Sequence, residues 1–168
     1  MNRYTSYDNN HITTPNNSPV YAYVGCTWSD HNTTYDNAYW DNQALKTVYP
    51  NAVELNAPFI CSTYNCHSYA WYQQGVSNYW INGDDAPIYM TDGSYSASYP
   101  LVGREITYKV TNNGITYLGH SGVISVLGST LDTIYITSKW GVCGLFYHSL
   151  TDCTYYSDYP NIAFWKLN

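Results

Sequence analysis

The sequence predicts a single α+β domain in which two helices precede an antiparallel sheet. A chain of 168 residues fits one domain. The helix-compatible segments come first, and the strand-like segments follow with short turns between them, which favours antiparallel pairing. We therefore assign residues 1–18, which are rich in Asn, Thr and Pro, to an extended N-terminal arm and residues 19–168 to one domain.

The first half of the chain carries the predicted helices. Residues 19–24 have the pattern of a short strand, and residues 38–48 that of a helix that Pro50 ends. A second helix is predicted from Cys66 onward. The following region, residues 77–100, is long and rich in aromatic side chains, and we interpret it as an ordered wall beside a functional site.

The second half is predicted to be β-sheet. Asn112-Asn113-Gly114 is a turn signal of the kind that joins two strands of a hairpin. The predicted strands cover residues 104–110, 115–118, 120–127, 133–140, 144–148 and 163–166.

Tyrosine and a low charge content dominate the composition. There are 21 Tyr and 6 Trp residues, whereas charged residues make up 11% of the chain, against roughly 25% in an average soluble domain. Much of the surface must therefore consist of Tyr, Asn, Ser and Thr. Such a composition is frequent in secreted proteins and in surfaces that contact carbohydrate.

Charge and hydropathy argue against two classes of protein. The net charge is −6 and no Lys/Arg cluster is present, so nothing supplies the phosphate neutralisation that nucleic-acid binding needs. No apolar run approaches the roughly 20 residues of a transmembrane helix.

The polar N-terminal residues do not form a signal peptide. Either the protein is cytoplasmic or a signal peptide has been removed, and composition and cysteine content favour removal and secretion. We expect a monomer.

The chain has five cysteines, and an odd count leaves one thiol unpaired in a secreted protein. Cys143 and Cys153 could form one disulfide, and Cys26 and Cys61 a second, which would leave Cys66 free. The cysteine spacing suits no common zinc site, because no Cys-x-x-Cys pair occurs. We therefore predict neither a metal nor a cofactor.

Cys66 is the candidate nucleophile. Asn65 is a suitable N-cap, because its side-chain oxygen can accept a free backbone N–H of the first helical turn. A thiol at the first helical position lies at the positive end of the helix dipole, which stabilises the nucleophilic thiolate. The alternative is a structural cysteine, in a disulfide or in the core.

A thiol nucleophile needs a base, which is most often histidine. His11 and His31 lie in polar segments, and His67 adjoins the nucleophile on a helix, where neighbouring side chains point in different directions. His120 begins a strand after a turn, so its ring could project over the end of the helix, and we predict it to be the base. His148, on a later strand, is the second choice.

The order of these motifs resembles the NlpC/P60 and CHAP cysteine-hydrolase superfamily. The resemblance rests on the helix-capping Cys66, on Gly103-Arg104-Glu105-Ile106-Thr107-Tyr108 and on Gly119-His120-Ser121-Gly122-Val123-Ile124-Ser125. It spans roughly residues 60–140 and implies a papain-like fold, with the nucleophile helix packed on an antiparallel sheet. It also implies hydrolysis of a peptide or amide bond in bacterial cell-wall peptidoglycan. The chain departs from the family pattern at Arg104, where Asp is usual, and at His67, where a small residue is usual.

The resemblance implies a role for each catalytic residue. Cys66 would attack a carbonyl carbon while His120 takes the thiol proton, and the intermediate would be a thioester. Ser138 or Thr137 is the polar residue available at the third catalytic position, where the family usually has His, Asn or Glu. A Cys–His dyad without a third residue is the alternative.

The remaining predicted site residues surround this pair. The backbone N–H of Cys66 would bind the oxyanion. The other predicted contributors are Tyr64 or Asn65 as a second oxyanion donor, and Tyr69, Trp80, Lys139 and Trp140 as cleft residues. For the aromatic residues, the alternative to a place in the cleft is a place in the core. For Lys139, the alternative is a solvated position on the surface.

Three other functions fit the same sequence. One is a toxin or effector that uses the same Cys–His chemistry against a rival cell. The second is a non-catalytic, Tyr-rich module that binds glycan or protein. The third is a disulfide-braced structural protein in which Cys66 is bridged.

Overall fold

The structure, a computed structural model, describes residues 7–8, 12–55, 60–157 and 159–168. The strands are β1 (Tyr7–Asp8), β2 (Ala22–Val24), β3 (Val53–Leu55), β4 (Tyr79–Trp80), β5 (Tyr95–Ser98), β6 (Glu105–Asn112), β7 (Ile115–Val126), β8 (Tyr135–Lys139), β9 (Leu145–Ser149) and β10 (Ile162–Leu167). The helices are α1 (Tyr35–Val48), a π-helical segment (Ser68–Tyr72), α2 (Ile88–Thr91), and short 3-10 turns at Trp28–His31, Leu131–Thr133 and Tyr159–Asn161.

The prediction of an α+β domain is confirmed. Seven strands form one antiparallel sheet in the order β3-β9-β8-β7-β6-β10-β5. A second, three-stranded sheet has the order β1-β2-β4. No helix in the described ranges is both long enough and apolar enough to cross a membrane.

A long hairpin of β6 and β7 forms the centre of the large sheet. Its turn contains Asn113 (φ 51°) and Gly114 (φ 78°), which both adopt the left-handed conformation that tight hairpin turns require. The two strands predicted on either side of Gly119 are one continuous strand. Gly119 is the extra residue of a β-bulge in this strand, because Tyr108 pairs with His120 whereas Lys109 pairs with Leu118.

Each face of the large sheet carries one hydrophobic core cluster. Successive residues of a strand point to opposite faces, and on β7 Val123 belongs to one core cluster while Ile124 belongs to the other. The Val123 cluster also contains side chains around the π-helical segment, such as Tyr69 and Trp71. The Ile124 cluster contains Ile106, Tyr108, Ile136, Trp140, Phe146 and Leu150.

The helix that begins at Cys66 continues into the π-helical segment, and we call the whole the Cys66 helix. Asn65 is its N-cap as predicted, because its Oδ1 accepts the backbone N–H of Ser68 at 3.1 Å. The π-type bond runs from the N–H of Gln73 to the carbonyl of Ser68 at 3.0 Å. The indole of Trp71 donates to Ser121 Oγ at 2.9 Å, which fixes this helix against β7.

Other predicted elements differ from the structure mainly at their ends. Helix α1 begins three residues earlier than predicted, because Thr34 Oγ1 accepts the backbone N–H of Asn37. The region 77–100 contains β4, α2 and β5. In the predicted N-terminal arm, Ile12 is buried and Thr13 pairs with Pro19, while residues 1–6 and 9–11 lie outside the described residues.

Glu105 is a carboxyl group buried inside this fold. It begins β6, is 7% exposed, and pairs with Val123 on one side and Trp165 on the other. Burial raises the pKa of Glu105 from 4.5 to about 7, although a hydrogen bond with Tyr95 opposes the rise.

Because its folded-state pKa is raised, Glu105 contributes stability that is complete below pH 4.5 and is lost as the pH rises through about 7. We expect Glu105→Gln to match the wild type at pH 4. At pH 8 the variant should be more stable by about 3 kcal/mol. Urea unfolding of both proteins at several pH values measures this difference, and a difference independent of pH would contradict it.

Candidate active site

Cys66 lies in the wall of a cavity of about 330 Å³ at the N-terminus of its helix. The start of the helix, the segment after β4, strand β7 and two loops form the walls. The lining residues are Asn65, Cys66, His67, Trp80, Asn82, Gly83, Asp84, Tyr117, Leu118, Gly119, Gly141 and Tyr155. Of the predicted site residues, this set includes Cys66, Asn65 and Trp80.

Two walls of this cavity meet at a close backbone contact. A Cβ atom on Gly83 would lie 2.3 Å from the carbonyl oxygen of Leu118, a distance that no side chain tolerates. Only glycine therefore lets the segment after β4 approach β7 this closely.

A second cavity of about 560 Å³ adjoins the first. The two cavities share Gly83, Asp84, Tyr117 and Leu118. The second is bordered by apolar side chains that include Met90 and Trp165. Cys66 lines the first cavity only, and we call the two adjoining cavities together the Cys66 groove.

The predicted stabilisation of the Cys66 thiolate is outweighed by burial. Burial raises the pKa of Cys66 from 9.0 to about 11, against the opposing effect of the backbone N–H groups of Ser121 and His67. That rise corresponds to about 3 kcal/mol, whereas a helix N-terminus typically contributes about 0.3–1 kcal/mol. The resting form of Cys66 at neutral pH is therefore the thiol.

His120 is fully buried and is stacked on Tyr155. The ring centroids are 4.2 Å apart and the ring planes are 7° from parallel. Neither ring nitrogen of His120 has a hydrogen-bond partner in the described part of the chain, so no hydrogen bond joins it to Cys66. Burial, together with the neighbouring His148 and His67, lowers the pKa of His120 well below 6.5. The imidazole is therefore neutral at pH 7.

Ser138, the predicted third catalytic residue, bonds to a different histidine. The Nδ1–H of His148 donates to the carbonyl of Ser149 at 2.8 Å, so its Nε2 is the acceptor. Ser138 Oγ donates to this Nε2 at 2.8 Å and accepts the indole N–H of Trp140 at 3.1 Å. Thr137, the other candidate, shares a hydrogen bond of 2.6 Å with Ser125.

Lys139 is neither a cleft residue nor a solvated one. It is fully buried, and its Nζ donates to the backbone carbonyls of Cys61, Gly141 and Cys143. Its ammonium group lies 5.2 Å from the centre of the Tyr64 ring. Burial lowers the pKa of Lys139 to about 8. This lysine therefore ties two loops together beneath the cavity wall.

Most of the other predicted cleft residues are structural. Trp140 packs against Tyr49 and Phe146 in the core, and Tyr69 is buried in the opposite core cluster. The Asn65 amide caps the Cys66 helix with its oxygen and donates to the carbonyl of Ile81 at 2.6 Å. Both ends of that amide are therefore already engaged.

The predicted disulfides are absent, because all five cysteines are free thiols. Their sulfur atoms have different neighbours. Cys143 Sγ donates to the carbonyl of Ala38, and Cys153 Sγ accepts the backbone N–H of Tyr155. Disulfides therefore give no structural support to the prediction of a secreted protein.

Sequence reasoning missed two features of the site. His67 lines the cavity, and its Nδ1 lies 2.8 Å from Ser121 Oγ, although its place next to Cys66 on a helix predicts a side chain directed away from the thiol. His120, His148 and Cys153 are all buried, and their ligand atoms lie within 4.8 Å of one another. Strand alternation could have predicted part of this cluster. His148 pairs with Ile136 and therefore points to the same face of the sheet as Ile136, and His120 points to that face as well.

The raised pKa of Cys66 predicts its reactivity. Alkylation by iodoacetamide should be slow at pH 7, and its rate should rise until the pH approaches about 11. Quenched reactions analysed by peptide mass spectrometry give the rate at each cysteine. Cys26 is the internal control, because burial raises its pKa to about 11 as well but it does not line the cavity. A rate at Cys66 that is already maximal below pH 8 would contradict this prediction.

Comparison with known proteins gives no assignment. No protein-family model matches the chain, no curated protein matches it, and no solved structure matches it.

Proposed function

We propose that this protein is a cysteine hydrolase of papain-like fold that cleaves an amide or peptide bond through a thioester on Cys66. The observation that carries the proposal is the position of the Cys66 thiol. It lies at the start of an N-capped helix, in a cavity wall, with the backbone N–H groups of Ser121 and His67 close to its sulfur. Those same groups are suited to stabilise negative charge that develops during attack on a carbonyl.

The proton transfer in this proposal starts from a neutral pair. Because the pKa of Cys66 is raised and that of His120 is lowered, the resting state is thiol and imidazole. As the S–C bond forms, the thiol proton passes to a ring nitrogen of His120, which then protonates the leaving amine. Water afterwards attacks the thioester and restores the thiol.

His120 can act as this base only after a local rearrangement. Tyr155 covers one face of the His120 ring and also lines the cavity beside Cys66. Rotation of the Tyr155 side chain would open the path between the imidazole and the thiol. The absence of any hydrogen bond to His120 in the described residues supports this, since no bond has to be broken to reorient the ring.

The shape of the Cys66 groove favours an extended substrate. The cavities of about 330 and 560 Å³ adjoin each other, and the residues that they share include Asp84, which carries a carboxylate, and the apolar Leu118. A peptide that runs through both cavities would place its scissile bond at Cys66 and an apolar group near Met90. The peptide part of bacterial peptidoglycan is the substrate that the family resemblance suggests, which accords with a secreted protein.

A non-catalytic binding module is the second candidate. The burial of Cys66 and the stacking of Tyr155 on His120 both favour it, because burial shields the thiol and Tyr155 covers one face of the imidazole. In that case the Cys66 groove would bind a peptide or glycan without cleaving it.

Digestion of purified peptidoglycan distinguishes the two candidates. The wild type should release new amino groups, and mass spectrometry should identify the cleaved bond. We expect Cys66→Ala to abolish release, and His120→Ala to reduce the rate by roughly 10²–10⁴-fold, the usual contribution of a general base. Cys61→Ser is the matched control, because this half-buried thiol does not line the cavity, and within the described ranges its one hydrogen-bond partner is the hydroxyl of Thr63.

Hydrolysis that persists in Cys66→Ala would overturn the proposal. If the wild type releases nothing but sediments with peptidoglycan as strongly as Cys66→Ala does, the binding module is the correct function.

A further inference from the structure

We propose that His120, His148 and Cys153 form a buried binding site for a transition-metal ion of the Zn²⁺ class. The ligand atoms of these three residues lie within 4.8 Å of one another, and all three side chains are buried. Two imidazoles and a thiolate are a ligand set that Zn²⁺ and related ions favour. Metal binding goes beyond the proposed hydrolysis and does not depend on it.

His120 supplies the first independent observation. Its side chain is completely buried, yet neither ring nitrogen has a hydrogen-bond partner in the described part of the chain. A buried polar group without a partner costs roughly 1–3 kcal/mol. Such groups are uncommon in folded proteins and often indicate a water or an ion at the site. A metal bound to one nitrogen would satisfy it.

Cys153 supplies the second observation. Its Sγ accepts the backbone N–H of Tyr155 at 3.4 Å, while the backbone N–H of Tyr156 donates to the carbonyl of Cys153. A hydrogen bond donated to the sulfur favours the thiolate, which is the form that binds a metal. Burial raises the pKa of Cys153, so a metal ion has to displace the thiol proton when it binds.

His148 is held in the orientation of a typical metal ligand. Its Nδ1–H donates to the carbonyl of Ser149 at 2.8 Å, which leaves Nε2 as the nitrogen with the lone pair. A carbonyl that fixes one nitrogen in this way is the usual partner of a metal-bound imidazole. The ion would take the place of the Ser138 hydroxyl, which now donates to Nε2 and already accepts from Trp140.

The distances require only a small contraction. Zn²⁺ binds imidazole nitrogen at roughly 2.0–2.1 Å and thiolate sulfur at roughly 2.3 Å, so tetrahedral ligand atoms lie about 3.5 Å apart. Inward movement of the ligand atoms by about 1 Å would close the site. Binding releases the Cys153 thiol proton to solvent, and no oxidation or reduction is involved.

Such a site would also affect the proposed hydrolysis. A His120 nitrogen that coordinates a metal cannot accept the proton of Cys66. The ion would lie close to that thiol, because Cys66 and Cys153 are near enough to influence each other's ionisation. The metal-bound protein would then be the inactive form.

Cobalt(II) is a suitable probe, because a thiolate ligand gives it a near-ultraviolet charge-transfer absorption. Titration of metal-free wild type with Co²⁺ should reach saturation at one ion per chain and show this absorption. In Cys153→Ser the absorption should disappear and binding should weaken by at least roughly tenfold. Cys143→Ser and Cys66→Ser should keep the absorption, since neither thiol belongs to the cluster.

Circular dichroism establishes that each variant is folded, and His120→Gln provides a second test if Cys153→Ser does not fold. Zn²⁺ should raise the Tm of the wild type but not that of His120→Gln, because binding stabilises only a protein that has the site. An unchanged Co²⁺ spectrum in Cys153→Ser, or no Co²⁺ binding and no Zn²⁺-dependent Tm shift in the wild type, would overturn the inference. These measurements do not involve hydrolysis, so either proposal can fail while the other stands.

Discussion

The hydroxyl group of Ser121 is the contact on which the candidate site depends. Its oxygen accepts the indole N–H of Trp71 and lies 2.8 Å from His67 Nδ1, so one atom of β7 fixes two residues of the Cys66 helix. The same residue directs its backbone N–H toward the Cys66 sulfur. Because β7 is the central strand of the large sheet, the thiol takes its position from the middle of that sheet. A polar contact between a helix and a strand thus sets the geometry of the cavity.

Burial is the dominant electrostatic influence in this region. It raises the pKa of Cys66 and Cys153 and lowers that of His67, His148 and Lys139. All of these shifts favour uncharged groups. A substrate or an ion that enters the site would therefore meet neutral thiols and neutral imidazoles, and these groups would become charged only during reaction or coordination. This feature distinguishes the site from one with a preformed thiolate–imidazolium pair.

The sequence allowed the fold class, the central hairpin and the Asn65 cap to be predicted, because each has a strong local signal. Asn113 and Gly114 specify their own turn, and Pro50 limits α1. The surroundings of His120, Ser138 and Lys139 could not be predicted in this way. Ser138 and His148 are brought together by the register of β8 and β9, and Lys139 is surrounded by carbonyls of two loops. Such contacts depend on tertiary packing, about which the local sequence carries little information.

The contact between Gly83 and Leu118 has a consequence for how this cavity can change. At this point the two walls are separated by backbone atoms alone, so the width there does not depend on which side chains line the rest of the cavity. Replacement of Asn82, Asp84 or Tyr117 would alter what the groove recognises and leave this spacing intact. The site can therefore acquire new specificity by ordinary surface substitutions, whereas any substitution of Gly83 would force the walls apart.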